Sequence, residues 1–273
     1  MSLKLNGTLV LVGCGKMGGA MLEGWLKAGA DPARMAVLEP RPAPEMVELL
    51  GKHKIRLNPA ISEITDTVAL VIALKPQVMN DVLPSLASLQ KSKPVILSIV
   101  AGKTIATFEA AFGKDASVVR TMPNTPAAIG RGITGMVGNG HVSPAQMQLA
   151  EALLSSTGEV VKVDNEDAID FVTAVSGSGP AYVFLLAEVM AAAGEKLGLP
   201  KDVATRLARA TVSGAGELMR QSGTDAAVLR QNVTSPNGTT HAALQVLMAD
   251  DGMKPLVEKA VAAAARRSRE LAG

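Results

Sequence analysis

The amino-acid sequence predicts an α/β protein in which a parallel sheet with helices on both faces precedes an all-α domain. In the first half, short and almost wholly apolar runs alternate with helical patterns, as in strands that are buried on both faces. The first run leads into a glycine-rich turn. After residue 165 the helical period continues, and no strand of comparable strength appears. We therefore predict a sheet domain at residues 1–164 and a helical domain at residues 165–273.

The elements of the sheet domain follow one another at short intervals. Thr8–Val12 is an apolar run typical of a buried strand, and Lys16–Ala28 carries apolar residues at helical spacing. Gly29 predicts the end of this helix, because glycine readily adopts the left-handed backbone that closes a helix. The other strands are predicted at Met35–Leu38, Ile55–Leu57, Val68–Leu74, Pro94–Val100 and Ser117–Arg120, with Val160–Val163 as the last strand candidate. The other helices are predicted at Glu45–Gly51, Asn80–Gln90 and Thr104–Phe112.

The helical domain is rich in alanine and glycine, which predicts closely packed helices. An apolar helical domain of this size often needs a partner, so we expect self-association, with a self-contained monomeric bundle as the alternative. Its helices are predicted at Ile169–Val175, Ala181–Leu197, Lys201–Arg220, His241–Ala249 and Lys254–Leu271.

Composition excludes several classes of protein. Of the 273 residues 19% are charged, and the net charge of +2 argues against a disordered chain or a nucleic-acid coat. A single cysteine excludes a disulfide scaffold, a Cys-based zinc site and an iron–sulfur cluster, and no metal is expected. Aromatic residues make up 2%, too few for a base-stacking platform, so we expect no nucleic-acid partner. The absence of a signal-peptide pattern and of an apolar segment of about 20 residues predicts a cytoplasmic protein without a membrane partner.

Gly13, Gly15 and Gly18 form a G-x-G-x-x-G motif between the first predicted strand and the first helix. The first glycine permits a tight turn, the second lets a pyrophosphate approach the backbone, and the third lets helix and strand pack closely. The helix start offers N–H groups and a partial positive charge to phosphate. The motif predicts a dinucleotide site, with a glycine turn that binds nothing as the alternative. Cys14 lies inside the loop and is interpreted as a small filler rather than a catalytic thiol.

Two residues after the second strand give opposite indications about the dinucleotide. Glu39 lies about 20 residues beyond the glycine motif, where a carboxylate binds the ribose hydroxyls of NAD. Arg41 would instead pair with the 2′-phosphate of NADP. Because a carboxylate repels a phosphate, the two indications conflict, and a solvated loop is the alternative interpretation of both residues.

Polar residues also follow other strands of the predicted sheet. Lys75 ends one strand, Ser98–Gly102 ends the next, and Asn124 lies in a proline-bounded loop after a third. Ligands of open α/β sheets lie beyond the carboxyl ends of the strands, so these residues are candidates for one crevice. An ordinary surface lysine is the alternative interpretation of Lys75.

The helical domain contains two loops that are rich in glycine and hydroxyl groups. Ser176–Pro180 and Ser235–Thr240 each precede a predicted helix. The second loop offers several N–H groups at a helix start, where a carboxylate is favoured. Simple helix capping is the alternative for either loop, although two such loops in one domain weigh against it.

Five segments occur in order along the chain, GCGKMGGAM, LKPQ, RTMPNTPAAIGRG, SGSGPAY and SPNGTT, and the last helix ends RRSREL. Together they resemble the pyrroline-5-carboxylate reductase family over nearly the whole chain, from Thr8 to Leu271. Many families share the glycine-rich segment, whereas SGSGPAY and SPNGTT are far more specific. The resemblance implies a Rossmann N-terminal domain and a helical dimerisation domain, in dimers that interlock through their helices and often assemble into decamers.

The resemblance also implies roles for particular residues. The substrate loop of the family usually has glycine where this chain has Asn237. Because asparagine tolerates positive φ better than most residues, we expect the loop to keep its conformation. No family role is implied for His241, which we interpret as a helix-start residue, with a group that tunes the imine proton beside Thr240 as the alternative. The implied cofactor-binding residues are Gly13, Cys14, Gly15, Lys16, Met17, Gly18, Glu39, Arg41, Ala73, Leu74, Lys75, Asn124 and Asn232, and the implied substrate-binding residues are Glu166, Gly238, Thr239 and Thr240, with Thr240 as the catalytic residue.

The reaction that the resemblance implies is hydride transfer from NADPH, with NADH as the alternative, to a cyclic imino acid, giving L-proline. Ser98–Gly102 and Asn124 would flank the nicotinamide. The helical domain of a partner subunit can complete the site in this family.

Two other functions stay open at this point. A dehydrogenase of the 3-hydroxyacid or 6-phosphogluconate type also joins a Rossmann domain to helices, but it needs a lysine near the middle of the chain, and SGSGPAY has none close by. A non-catalytic dinucleotide-sensing protein would keep Gly13–Gly18 and lose the loop Ser235–Thr240, which is present here.

Overall fold

The computed structural model describes residues 3–272, and this part of the chain forms one eight-stranded sheet. The strands are β1 (Thr8–Val12), β2 (Met35–Leu38), β3 (Arg56–Leu57), β4 (Thr67–Ile72), β5 (Val95–Ser98), β6 (Ser117–Met122), β7 (Gly132–Gly138) and β8 (Gly158–Lys162). Their order across the sheet is β3-β2-β1-β4-β5-β6-β7-β8. The strand order reverses between β1 and β4, which is the point where open α/β sheets bind their ligands.

Helices cover both faces of the sheet, and the described chain contains 11 α-helices. Two of them were not predicted, although each has a capping signal: Ser143 accepts a hydrogen bond from the Gln146 N–H, and Asp225 accepts one from the Ala227 N–H. The helices are α1 (Lys16–Lys27), α2 (Pro44–His53), α3 (Met79–Leu86), α4 (Ile105–Phe112), α5 (Pro144–Ser155), α6 (Ala168–Val172), α7 (Gly179–Lys196), α8 (Lys201–Ser222), α9 (Ala226–Asn232), α10 (Thr239–Leu247) and α11 (Met253–Ala272).

One strand departs from the parallel arrangement. β7 is antiparallel to β6, with Val119 opposite Gly138, and the other strand pairs are parallel. The connection between β6 and β7 holds only the short 3-10 segment Thr125–Ile129, which is too short for the crossover that a parallel pair needs. The predicted α/β fold with a parallel sheet is confirmed, and β6 with β7 is the one antiparallel pair of the described sheet.

Each face of the sheet has its own hydrophobic core. On one face Trp25 of α1 is fully buried, and its indole N–H donates to the carbonyl of Leu153 in α5 at 2.9 Å. On the other face Phe108 of α4 packs with residues of α3 such as Leu83 and Leu86. Burial of the strands from both sides explains why their sequences are almost continuously apolar.

The chain divides into two compact units, and each is described by itself. The first contains the sheet and comprises the residues up to Gly177 together with those from Ala264 onward, while the second is Ser178–Ala263. The end of α11 therefore belongs to the sheet unit. This division falls later than the predicted boundary at residue 165, since α6 packs on the sheet and the side chain of Val172 fills the space that a Cβ at Gly135 would need. The division at residue 165 stays a prediction about domains.

The second unit consists of helices and has almost no core of its own. Among its described residues only Ala191, Ala204 and Ala208 are buried, whereas Phe184 is 66% exposed and Val246 is 73% exposed. Large apolar side chains left in this state need a covering surface. This arrangement is typical of a subunit that associates with another.

The helical run Ala168–Lys196 is long and apolar enough to cross a membrane by length and composition alone. It was not predicted, because charged residues such as Asp170 and Glu188 interrupt its apolar sequence. A helix that packs against a second subunit has a similar apolar surface, so length and composition are weak evidence for a membrane span.

Candidate active site

The three glycines of the first loop differ in what surrounds them. Gly13 has a φ of +91°, and a Cβ there would lie 2.6 Å from the Ala73 carbonyl oxygen. At Gly18 a Cβ would lie 2.3 Å from the Gly13 carbonyl oxygen, so close packing of α1 on β1 requires glycine. At Gly15 a Cβ would meet nothing within 4 Å. The structure therefore needs glycine at two positions, and Gly15 borders open space, as a pyrophosphate would require.

The start of α1 faces the same space. Its N-cap is Gly15, no side chain caps it, and its first turn holds no acidic residue. The N–H groups and the partial positive charge of this helix end are therefore available to an anion. Lys16 is exposed in the first turn, and Met17 is half-buried beside it. These residues fit the pyrophosphate of a dinucleotide.

Glu39 lies directly beside the glycine loop. Its carboxylate accepts hydrogen bonds from the backbone N–H groups of Cys14 and Arg41, each at 3.0 Å. The backbone of Glu39 is held in turn by the side-chain amide of Asn58, which accepts from the Glu39 N–H at 2.8 Å and donates to the Glu39 carbonyl at 2.9 Å. Asn58 was not predicted as a site residue. This arrangement places both Glu39 and the exposed Arg41 at the end of β2 that would face the adenosine ribose.

Cys14 is buried within the loop. Burial, with a further contribution from the charge of Glu39, raises the pKa of its thiol to about 11. The thiol is therefore protonated at neutral pH and is not a nucleophile. Its surroundings agree with the interpretation of Cys14 as a small packing residue under the loop.

The carboxyl ends of β1, β4 and β5 meet at the same edge of the sheet. The Ala73 N–H donates to the Val12 carbonyl at 2.8 Å, and the Ile99 N–H donates to the Ile72 carbonyl at 3.1 Å. Ala73 and Leu74 are half-buried here, and Lys75 is exposed at the end of the strand. The predicted contacts on these strand ends therefore lie next to the glycine loop along one crevice.

Asn124 is buried, and both ends of its amide are engaged within the sheet unit. Its Oδ1 accepts from the Ile133 N–H at 3.0 Å, and its Nδ2 donates to the Ser176 hydroxyl at 3.2 Å. Ser176 belongs to a π-helical turn, Thr173–Gly177, and such turns are frequent at functional sites. Asn124 thus joins two of the motif loops, and its contact with the nicotinamide stays a prediction.

Glu166, which the resemblance implies as a substrate-binding residue, belongs to an ionic cluster that the sequence did not indicate. Its Oε1 accepts from the N–H of Ile105, the first residue of α4, at 2.7 Å, and from Arg120 Nη1 at 3.0 Å. Arg120 is buried in β6, and its Nη2 donates to Asp170 Oδ1 at 3.3 Å. A charged residue inside an apolar strand was the one sequence signal for this cluster, since a buried arginine needs acidic partners. A contact between Glu166 and substrate stays a prediction.

The predicted substrate loop lies in the helical unit. Asn237 has a φ of +57°, which confirms that asparagine supplies the left-handed backbone at this position. Gly238 is the N-cap of α10, and no side chain caps this helix end. The half-buried Thr240 follows in the first turn of α10. Asn232 lies at the end of α9, in the same unit. The first-turn N–H groups of α10 are therefore available to a carboxylate.

The largely parallel sheet, its strand-order reversal and a glycine loop open at Gly15 define a Rossmann-type dinucleotide-binding protein. Residues 8–102 match a family described as NADP oxidoreductase, coenzyme F420-dependent. Residues 166–271 match the family described as pyrroline-5-carboxylate reductase dimerisation.

Similarity to named proteins extends over the whole chain. A pyrroline-5-carboxylate reductase of Pseudomonas aeruginosa is 42% identical over 265 residues, covering 97% of this chain and 96% of the relative. A solved pyrroline-5-carboxylate reductase of Coxiella burnetii has a TM-score of 0.90 and 33% identity, covering 98% of this chain and 100% of the other. A pyrroline carboxylate reductase of Plasmodium falciparum, solved with NADP bound, has a TM-score of 0.81 and 27% identity, covering 98% and 99%. The chain belongs to the pyrroline-5-carboxylate reductase family.

Proposed function

We propose that this protein reduces 1-pyrroline-5-carboxylate to L-proline, the last step of proline biosynthesis, with NADPH as hydride donor. Two site features in a chain similar along its whole length to named reductases support the proposal. One is the phosphate cradle that is open at Gly15. The other is the uncapped start of α10 at Gly238. The first fits the cofactor, and the second fits the substrate carboxylate.

The residues of the α10 start hold the substrate in this proposal. The N–H of Thr239 binds the carboxylate, which the helix dipole also favours. The N–H of Gly238, which was predicted as a substrate-binding residue, instead donates to the Ser235 carbonyl at 3.0 Å. The Thr240 hydroxyl contacts the ring nitrogen. When bound, the reduced nicotinamide supplies the hydride that adds to the C=N carbon, whose π electrons become the lone pair of the amine. The iminium form is the better hydride acceptor, so the chain has to position and orient a protonated substrate rather than supply a strong acid.

The choice of NADPH rests on Arg41. Its side chain is exposed at the end of β2, and the Glu39 carboxylate is turned toward the backbone N–H groups of Cys14 and Arg41 rather than toward solvent alone. Both carboxylate oxygens of Glu39 therefore accept hydrogen bonds from the protein backbone, which reduces the conflict between this carboxylate and a 2′-phosphate.

We expect Arg41→Ala to raise the KM for NADPH about tenfold and to leave the KM for NADH unchanged, because only NADPH carries the 2′-phosphate. Steady-state kinetics with each cofactor at saturating imine measures this. Arg34→Ala is the control, since Arg34 is an exposed arginine of the same unit that pairs with Asp31. An unchanged NADPH to NADH preference would show that Arg41 does not read the phosphate.

The proposed activity is tested with the full-length protein, NADPH and 1-pyrroline-5-carboxylate. We expect loss of the reduced-cofactor absorbance together with stoichiometric formation of L-proline. No turnover with either nicotinamide cofactor would refute the proposal, and cofactor binding without turnover would point to a dinucleotide sensor. Turnover of a 3-hydroxyacid or of 6-phosphogluconate in its place would point to the other dehydrogenase class, which the whole-length similarity does not favour.

The match to a dimerisation domain indicates self-association. We propose a homodimer formed through the helical unit, with further assembly into a decamer. The support is the exposed apolar surface of that unit, including Phe184, Leu207 and Val246. A cytoplasmic location and the absence of nucleic-acid and membrane partners stay predictions.

A further inference from the structure

We propose that the end of α11 and a buried ionic cluster position the turn between β5 and α4, residues 99–104, for binding of the nicotinamide half of the cofactor. The positioning residues are Ser268, Asp170, Arg120, Glu166 and Leu271. The proposal rests on the proposed function, because it assigns these residues to the support of the same cofactor site.

The place of the turn in the sheet connects it to the nicotinamide. A dinucleotide lies across the point where the strand order reverses, with one half over β1, β2 and β3 and the other over β4 and β5. The glycine loop and Glu39 lie on the first side, so the adenosine half lies there. The turn after β5 is therefore at the nicotinamide half. Ser98 anchors its beginning, since its carbonyl accepts from the Thr121 hydroxyl at 2.9 Å and its Oγ accepts from the Val100 N–H at 3.2 Å.

A chain of hydrogen bonds links the last helix to the other end of the turn. The Ser268 hydroxyl donates to Asp170 Oδ1 at 2.7 Å, and Arg120 bridges Asp170 and Glu166 at 3.3 and 3.0 Å. Glu166 then accepts from the Ile105 N–H at 2.7 Å. The side chain of Arg120 is 4% exposed and that of Asp170 is 8% exposed, so these charges are fixed by one another rather than by water.

The electrostatics of the cluster favour this arrangement. Two carboxylates share one guanidinium, and the negative charge that remains is stabilised by the Ser268 hydroxyl and by the Ile105 N–H. Glu166 also lies at the N-terminus of α4, where the helix dipole favours a carboxylate. Loss of any member leaves another buried polar group without its partner.

A second contact reaches the turn independently of the ionic cluster. Gly102 has a φ of +66°, and a Cβ there would lie 2.8 Å from the Cβ of Leu271 and 3.1 Å from its carbonyl oxygen. The backbone of the turn therefore lies directly against the last turn of α11. At the same helix end the guanidinium of Arg269 lies 5.1 Å from the ring centroid of Phe171, which adds a cation–π contact between α11 and α6. The turn is thus held at Gly102 by packing and at Ile105 by the carboxylate.

The test uses Ser268→Ala and Leu271→Gly in the full-length protein, because the first removes the hydroxyl on Asp170, the second removes the Cβ that lies against Gly102, and neither leaves a buried charge unpaired. The dissociation constant of NADPH is measured by cofactor fluorescence, and backbone mobility by hydrogen–deuterium exchange of the segment 99–105. We expect each variant to weaken NADPH binding about three- to tenfold and to speed amide exchange in this segment. Glu270→Gln is the matched control on the same helix turn, since Glu270 is exposed and pairs with Arg267.

Unchanged NADPH affinity and unchanged exchange in both variants would overturn the proposal. A fall in thermal midpoint with uniformly faster exchange across the sheet would also overturn it, because that result describes general destabilisation. The dissociation constant and the exchange rates are measured without turnover, so they test this proposal even if the proposed reaction is refuted.

Glu166→Gln separates positioning from substrate contact. The amide keeps an oxygen for the Ile105 N–H and removes the charge that pairs with Arg120. We expect weaker NADPH binding and faster amide exchange of the segment 99–105 without imine present, and an effect that is less than additive with Ser268→Ala because both act through Arg120 and Asp170. A raised KM for the imine with unchanged NADPH affinity would instead assign Glu166 to the substrate and overturn its positioning role.

Discussion

Thr240→Ala lowers kcat/KM for 1-pyrroline-5-carboxylate by about tenfold to a hundredfold, as loss of one polar contact in the transition state would. Thr240 lies in the first turn of α10, after a helix end that no side chain caps. The backbone N–H groups hold the carboxylate in the variant as in the unmodified enzyme, so the substitution removes only the hydroxyl that contacts the ring nitrogen. The measurement is steady-state kinetics with varied imine at saturating NADPH.

Two substitutions at the same position isolate the hydroxyl. Thr240→Ser keeps it and should retain most of the activity, whereas Thr240→Val keeps the branched shape and should lose as much activity as Thr240→Ala. Cofactor affinity should stay at its original value in all three variants. Kinetics like those of the unmodified enzyme in the Val variant would remove Thr240 from the mechanism.

His241 is the neighbouring group that could be confused with Thr240 in this role. Its Nε2 lies 3.2 Å from the side-chain nitrogen of Gln245, one turn further along α10. That contact fits the interpretation of His241 as a helix-start residue. His241→Gln should therefore change kcat/KM far less than Thr240→Val does.

The cofactor loop could be predicted because its chemistry is local in the sequence. Gly13, Gly15 and Gly18 lie within six residues, so their spacing alone predicts a tight turn, an open approach for the pyrophosphate and close packing of α1 on β1. The buried strands could be predicted equally well, because burial on both faces requires a continuous apolar run in the sequence. β7 escaped prediction because its three glycines interrupt that pattern, and one of them, Gly135, is required by the contact with Val172 of α6.

The ionic cluster could not be predicted because its members meet only in the folded chain. Arg120 lies 46 residues from Glu166 and 50 from Asp170, and Ser268 is 98 residues beyond Asp170. No local pattern connects such residues, although an arginine within an apolar strand indicates that acidic partners exist. The same reason explains why Asn58 was not predicted, since its amide binds the backbone of Glu39 although α2 separates the two residues in the sequence.

The position of the domain boundary illustrates the same limit. The change from strands to helices is visible near residue 165, but compactness depends on which element a helix packs against. α6 follows that change and nonetheless packs on β6 and β7, and the end of α11 returns to the same unit. The order of elements can thus be inferred from periodicity, whereas their grouping needs the tertiary contacts.

Gly15→Ala should abolish most of the cofactor affinity while the protein stays folded. A Cβ at Gly15 would meet no protein atom within 4 Å, and its φ of −73° is ordinary for alanine. The new methyl group would occupy the space in which the pyrophosphate approaches the backbone. Since overpacking typically costs about 1–3 kcal/mol, we expect the dissociation constant of NADPH to rise roughly tenfold to a hundredfold, measured by cofactor fluorescence.

Gly18→Ala is the contrasting variant, because its Cβ would lie 2.3 Å from the Gly13 carbonyl oxygen and the backbone would have to move. It should lower the free energy of unfolding by about 1–3 kcal/mol, whereas Gly15→Ala should cost less than about 1 kcal/mol as a change of N-cap residue. Chemical denaturation of the two variants gives this comparison. Equal destabilisation would mean that the fold needs glycine at position 15 as well. NADPH affinity preserved in Gly15→Ala would mean that the space beside Gly15 is not where the pyrophosphate binds.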